Sequence, residues 1–139
     1  MSSLIHQKII TNESKPEWAS EFSDKQYLYL KHVLNGLIKN SGGFDDFLID
    51  VDGKSKTLHI YEPFTTLNYL CYMSPSVVSI KFLSDQYVQF LEGDDNGLDI
   101  DSDRLVASDE IKLPNNFTDN ICLWHFIDSI GSAYPEHYE

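Results

Sequence analysis

Three side chains near the C-terminus have types and a spacing that could support nucleophilic catalysis. Cys122, His125 and Asp128 are three residues apart, so a helix would place them on one face. A histidine can activate a thiol as a nucleophile when a third group orients its ring. The neighbouring Ile121 and Trp124 are apolar, which is typical of a core thiol and a hydrogen-bonded histidine. We therefore expect no catalytic residues, and a small enzyme using Cys122 and His125 is kept as an alternative.

A second candidate site has acids at the spacing of calcium ligands. Asp99, Asp101, Asp103 and Glu110 fall at the offsets that an EF-hand loop uses for its side-chain oxygen ligands. Arg104 stands where that loop needs glycine for a sharp turn, and it would place a cation beside the ion. We therefore expect no metal and no cofactor, and a calcium-binding module is kept as an alternative.

The most unusual stretch is the acidic segment, residues 92–110. Its eight carboxylates, set against the single cation Arg104, are Glu92, Asp94, Asp95, Asp99, Asp101, Asp103, Asp109 and Glu110. Crowded carboxylates repel one another and stay hydrated unless cations replace the water, so residues 92–104 are too polar to bury. We interpret the segment as a partner-binding surface that presents carboxylates to lysines and arginines, with Tyr87 and Trp124 as aromatic anchors if exposed. A solvated loop without a role is the alternative.

The charge of the whole chain is negative and unevenly distributed. Ten Lys and Arg residues stand against 22 Asp and Glu residues, a formal net charge of −12. Residues 1–69 hold seven lysines and nine acids, a net charge of −2, whereas residues 70–139 hold three basic residues and 13 acids, a net charge of −10. Such a surface attracts basic proteins and repels nucleic-acid phosphates and anionic membranes. We expect a basic protein partner, no nucleic acid and no membrane; charge that serves only solubility is the alternative.

Other signatures of chemistry are missing from the sequence. It contains no Gly-rich phosphate loop, no GxSxG, no HExxH and no paired CxxC. His59, Tyr61 and Glu62 follow the alternation of a strand, which predicts an outward polar face. Cys71 and Cys122 lie in apolar runs, which indicates reduced core thiols rather than a disulfide scaffold.

Helical spacing predicts the two main helices. Residues 24–38 carry apolar side chains every three or four positions, with Ser23 or Asp24 as the cap and Gly42 and Gly43 as the stop. A short helix is expected near Pro16. Thr118 can cap a second long helix that ends at Gly131 and is apolar nearly all round, so most of it should be buried.

Alternating apolar residues predict two hairpins. The first joins residues 47–51 to 58–60 through a turn at 52–55, and the second joins 78–82 to 88–90 through a turn at 84–86. A short strand could form within residues 1–13 and another within 105–113, whereas residues 64–73 fit either a helix or a strand. The expected fold is α+β, with an antiparallel or mixed sheet of four to five strands and helices packed on one face.

Length and termini bound the organisation of the protein. A chain of 139 residues without a linker-like segment predicts a single globular domain, 1–139. The N-terminal MSSLIHQKII is not a basic start followed by a long apolar run, so we expect a cytoplasmic protein.

A compact acidic α+β domain of this size without catalytic or metal motifs resembles bacterial immunity proteins in its overall character. Such proteins neutralise a toxic, usually basic, nuclease by covering its active site. The resemblance implies a toxin–antitoxin pair with a co-expressed toxin domain as the partner. It also implies that the acids at 94–110 face the cationic groups with which a nuclease holds phosphate.

Overall fold

The computed structural model describes residues 4–11, 14–43, 46–61, 77–93 and 106–131. Two α-helices, one short 3₁₀ helix and seven strands lie within these ranges. In chain order they are β1 (Leu4–Lys8), the 3₁₀ helix (Glu17–Ala19), α1 (Asp24–Lys39), β2 (Asp46–Asp52), β3 (Thr57–Tyr61), β4 (Val77–Phe82), β5 (Tyr87–Gly93), β6 (Val106–Ala107), β7 (Ile111–Lys112) and α2 (Asp119–Gly131).

A reciprocal capping box fixes the start of α1. The Ser23 hydroxyl accepts a hydrogen bond from the Gln26 backbone N–H at 3.2 Å, and the Gln26 side-chain oxygen accepts one from the Ser23 N–H at 2.9 Å. The same Ser23 hydroxyl donates to Asp85 at 2.7 Å, and the Gln26 amide donates to the Ser84 carbonyl at 3.3 Å. The cap therefore also ties α1 to the turn between β4 and β5. Gly42, with φ of 75°, follows the helix as predicted.

The sheet is antiparallel and six strands wide. Strands β1 to β5 lie side by side in chain order, and the two-residue strands β6 and β7 both pair with the outer edge of β5. The predicted hairpins β2–β3 and β4–β5 are confirmed, as is the α+β class. The predicted count of four to five strands is wrong because β1 adds one edge and the 105–113 region adds two short pieces rather than one.

Both helices pack against one face of the sheet. The side chains that alternate toward the helices on β2 to β5 join those of α1 and α2 in one hydrophobic cluster. Its largest fully buried members include Tyr29, Phe90 and Phe126. Phe90 contacts Phe126 with ring centroids 5.5 Å apart, so β5 packs directly against α2.

The two helices approach each other closely at Gly36. A Cβ atom built on Gly36 would lie 2.9 Å from both the Asp119 carbonyl oxygen and the Leu123 Cβ atom. Only glycine leaves room for α2 here. Thr118 caps α2 as predicted, since its hydroxyl accepts from the Ile121 N–H at 3.0 Å. The prediction that most of α2 is buried holds for the side facing α1 and fails on the other side, where Ile121 and Trp124 are exposed.

The second face of the sheet, which points away from the helices, carries a row of polar side chains beside the buried Tyr61 and Val77. The side chains of Asp50, His59 and Ser79 lie directly opposite one another on β2, β3 and β4 and form a row across the sheet. Asp52 and Lys81 follow in the next row.

None of the helices within the described ranges has both the length and the apolar character needed to cross a membrane. Residues 64–73, left open between helix and strand, lie outside the described residues.

Candidate functional site

The predicted aromatic anchors lie on two elements that both contact β7. Tyr87 is the first residue of β5 and is 42% exposed, while Trp124 on α2 is 41% exposed. Tyr87 stands opposite Lys112 of β7, and the Lys112 carbonyl oxygen accepts a hydrogen bond from His125 Nε2 at 2.8 Å. His125 is the chain neighbour of Trp124, so one strand joins the elements that present both aromatic side chains.

His125 has both ring nitrogens in hydrogen bonds. A carbonyl oxygen only accepts, so Nε2 carries the proton in its contact with Lys112, and Nδ1 accepts the hydrogen of the Tyr29 hydroxyl at 2.7 Å. Burial lowers the pKa of His125 and outweighs the Lys112 carbonyl and Asp128, which raise it. The neutral ring is thus held as a structural link between α1, α2 and β7.

Cys122 is a core thiol. It is fully buried, and burial is the main cause that raises its pKa to about 12. At neutral pH it is protonated, and the thiolate is the nucleophilic form. Because the nitrogens of His125 are engaged by Tyr29 and Lys112, the ring is oriented toward those partners. This geometry is that of a packed core residue beside a hydrogen-bonded histidine.

The acidic segment is described at its two ends only. Asp109 and Glu110, between β6 and β7, are exposed. Glu92, in contrast, is 2% exposed because it alternates toward the helix face of β5, opposite Val78 and Val106. The expectation that residues 92–104 are too polar to bury is therefore wrong at Glu92, which is buried. The remaining acids lie outside the described residues: Asp94, Asp95, Asp99, Asp101 and Asp103.

The start of α2 carries a polar cluster that no local sequence pattern indicates. Asp119 accepts from His32 Nδ1 at 2.7 Å and from the Lys39 ammonium, both on α1. Burial alone would raise the pKa of Asp119, but the hydrogen bonds from Lys39 and His32 outweigh it and lower the pKa. The carboxylate also lies at the positive end of the α2 dipole. The cluster therefore holds the two helices together beside Gly36.

The row across the second face brings an acid, a histidine and a hydroxyl together. His59 Nδ1 and Ser79 Oγ lie 2.5 Å apart, and Ser79 is fully buried. Burial lowers the pKa of His59, outweighing Asp50 and Asp52, which raise it. The predicted outward polar face of β3 is wrong here, because Tyr61 is buried on this face and His59 is half-buried. Glu62 lies outside the described residues.

Metal ligands do not assemble in the described part of the chain. No group of three or more His, Cys, Asp or Glu residues there could hold an ion. Of the four acids with calcium-loop spacing, only Glu110 is described, and it is exposed. The calcium hypothesis for the Asp99–Glu110 loop therefore stays a prediction.

Comparisons with protein-family models, curated protein sequences and solved structures found no significant match to this chain.

Proposed function

We propose that this chain is a non-enzymatic acidic binding protein that acts as an immunity protein, covering the active site of a cationic toxin, most simply a nuclease. The observation that carries the proposal is the exposure of Tyr87 and Trp124 on two elements that contact β7, whose preceding residues are the exposed acids Asp109 and Glu110. Tyrosine and tryptophan are enriched at protein interfaces, and the neighbouring carboxylates complement the charge of a basic partner.

Charge and aromatic contact have different roles in this proposal. A net charge of −10 over residues 70–139 speeds the encounter with a basic protein and makes it sensitive to salt. Tyr87 and Trp124 then supply apolar area that is insensitive to salt and slows dissociation. A nuclease active site offers the complementary cations, because it must hold phosphate oxygens.

The arrangement of Cys122 and His125 favours binding over catalysis as the function. A thiol with a pKa of about 12 is a poor nucleophile at neutral pH, and His125 is already fixed by Tyr29 and Lys112. The helix that carries both residues instead presents Ile121 and Trp124 outward.

The experiment is a capture of basic proteins by the immobilised chain from lysate of its native host at low ionic strength, where charges act over 10 Å or more. We expect one basic protein that is released by a salt step and identified by mass spectrometry. Its purified catalytic domain should lose activity toward nucleic acid when one equivalent of this chain is added.

The matched variants are Trp124→Ala and Leu28→Ala. Both remove a large apolar side chain from a helix, and Leu28 is 40% exposed on α1. Under the proposal Trp124→Ala loses the captured protein at the same salt concentration, while Leu28→Ala retains it. Equal capture by the two variants, or a captured protein whose activity is unchanged by this chain, would contradict the proposal.

A further inference from the structure

The second face of the sheet contains a buried carboxylate oxygen without a donor. Asp50 is 7% exposed, and its Oδ1 atom has no hydrogen-bond partner among the described residues. Strand alternation points this side chain to the same face as its cross-strand neighbour His59. The row continues to Ser79, whose hydroxyl is hydrogen-bonded to His59 Nδ1.

An unsatisfied carboxylate oxygen in a buried place is costly, and more so when the group is charged. Native proteins pair nearly all such atoms with a donor, so a persistent exception calls for a partner. None of the described side chains in the row provides one. Ser79 already shares its hydrogen bond with His59, and burial keeps the pKa of His59 below its usual range, so the ring is neutral at pH 7.

The charges of the neighbouring row leave the site acidic. Asp52 and Lys81 lie on the same face, in the row next to Asp50 and His59. With His59 neutral, two carboxylates face one ammonium group, and Lys81 leaves Asp50 Oδ1 without a hydrogen bond. His59 and Lys81 are half-buried, so this side of the row is partly exposed to solvent.

We infer that the Asp50–His59–Ser79 row is a binding site for a guanidinium or ammonium group, supplied by a basic side chain of the partner protein. The identity of the donor rests on the proposed function, whereas the site itself rests on the buried carboxylate. A cation with N–H donors fills the missing hydrogen bond of Asp50 and neutralises the surplus negative charge. Guanidinium is weakly hydrated and planar, which suits a buried carboxylate.

The test is a titration of the protein with methylguanidinium, followed through the ring resonances of His59 by NMR. Tetramethylammonium serves as the control cation, because it has the same charge and no N–H donor. We expect a saturable shift of the His59 resonances with methylguanidinium and no saturable shift with tetramethylammonium. Shifts that are linear and equal for the two cations would overturn the inference.

Two variants of β2 locate the site. Asp50→Asn should weaken methylguanidinium binding about tenfold or more, because it removes the charge from a charge-assisted hydrogen bond. Asp46→Asn, on the same strand and the same face, should bind like the original protein. Equal binding by both variants would overturn the inference. If Asp50→Asn does not fold, the comparison of the two cations on the unmodified protein decides by itself.

The outcomes separate this inference from the proposed function. Saturable binding of methylguanidinium supports the cation site even when no basic protein is captured. Capture that depends on Trp124, combined with no saturable binding of methylguanidinium, retains the proposed function and overturns the cation site.

Discussion

The Tyr29 hydroxyl donates a hydrogen bond to His125 Nδ1 at 2.7 Å, with the two rings packed edge to face at 5.4 Å between centroids. Tyr29 is fully buried on α1, and His125 Nε2 donates a second hydrogen bond to the Lys112 carbonyl of β7. One polar chain thus crosses the core between both helices and the sheet edge that presents Tyr87. The stability of this link governs how firmly the proposed binding surface is held.

Tyr29→Phe should lower the free energy of unfolding by about 1–2 kcal/mol, because the change leaves the buried Nδ1 of His125 without its donor. Urea denaturation monitored by circular dichroism measures the effect. Tyr27→Phe is the matched control on the same helix. The Tyr27 hydroxyl is buried and has no hydrogen-bond partner among the described residues, so its removal should be neutral or stabilising. Similar losses in both variants would show that the hydroxyl–imidazole contact is not responsible.

Stability should fall as the pH drops below about 6.5, the ordinary histidine pKa. Burial lowers the pKa of both His125 and His59 in the folded protein. Below pH 6.5 the two histidines are protonated in the unfolded chain but stay neutral in the folded chain. Unfolding is therefore increasingly favoured until the pH falls below the folded pKa values. Urea midpoints between pH 8 and about 5 measure this slope. His125→Gln should flatten it, whereas His6→Gln, at an exposed histidine, should leave it unchanged; an unaltered slope in His125→Gln would contradict the assignment.

Local sequence patterns predicted the elements well because each helix and hairpin is specified by nearby residues. The Ser23 cap, the Thr118 cap and the turn between β2 and β3 all depend on side chains within a few positions. Sheet width was underestimated because β6 and β7 have only two residues each and are defined by pairing with β5 rather than by a periodic pattern of their own.

The contacts of the candidate sites are harder to predict from the sequence because they join residues that are far apart in the chain. Asp119 meets His32 and Lys39 across 87 and 80 residues of chain, and no spacing rule connects them. The acidic residues around Glu92 predict that it is exposed. Alternation along β5 instead points its side chain toward the helices, where it is buried. A lone glycine in the helical pattern at Gly36 was the one available signal of close helix packing.

Gly36→Ala should destabilise the protein by about 1–3 kcal/mol, as expected for an over-packed contact. The added methyl group would meet the Asp119 carbonyl and Leu123 at 2.9 Å, and the backbone oxygen cannot rotate away. Helix propensity alone predicts the opposite sign, a gain of about 1 kcal/mol. Thermal and urea unfolding give the sign directly, and stabilisation would mean that α1 and α2 can separate at no cost.

Asp119→Asn should cost about 1–2 kcal/mol, because the carboxylate accepts hydrogen bonds from Lys39 and His32 at the positive end of α2. Its lowered pKa means that this contribution is present above the unfolded value of about 3.9 and is lost as the pH falls through the folded value. The matched control is Asp24→Asn at the first position of α1. That side chain is 91% exposed and forms a surface ion pair with Lys15, so we expect no measurable change. Equal losses at both positions would assign the effect to the helix dipole alone.

Neutralising the acidic segment should slow association with the basic partner without unfolding the protein. Changing Asp94, Asp95, Asp99, Asp101 and Asp103 together to Asn removes five of the negative charges that steer encounter. We expect a lower association rate constant and a flatter dependence of that rate on salt, measured by stopped-flow mixing, with a nearly unchanged dissociation rate. Trp124→Ala should do the reverse, raising the dissociation rate and leaving the salt dependence intact. Unchanged association kinetics in the variant with five substitutions would show that residues 94–103 are not part of the binding surface. Asp109 and Glu110 would then be its acidic part.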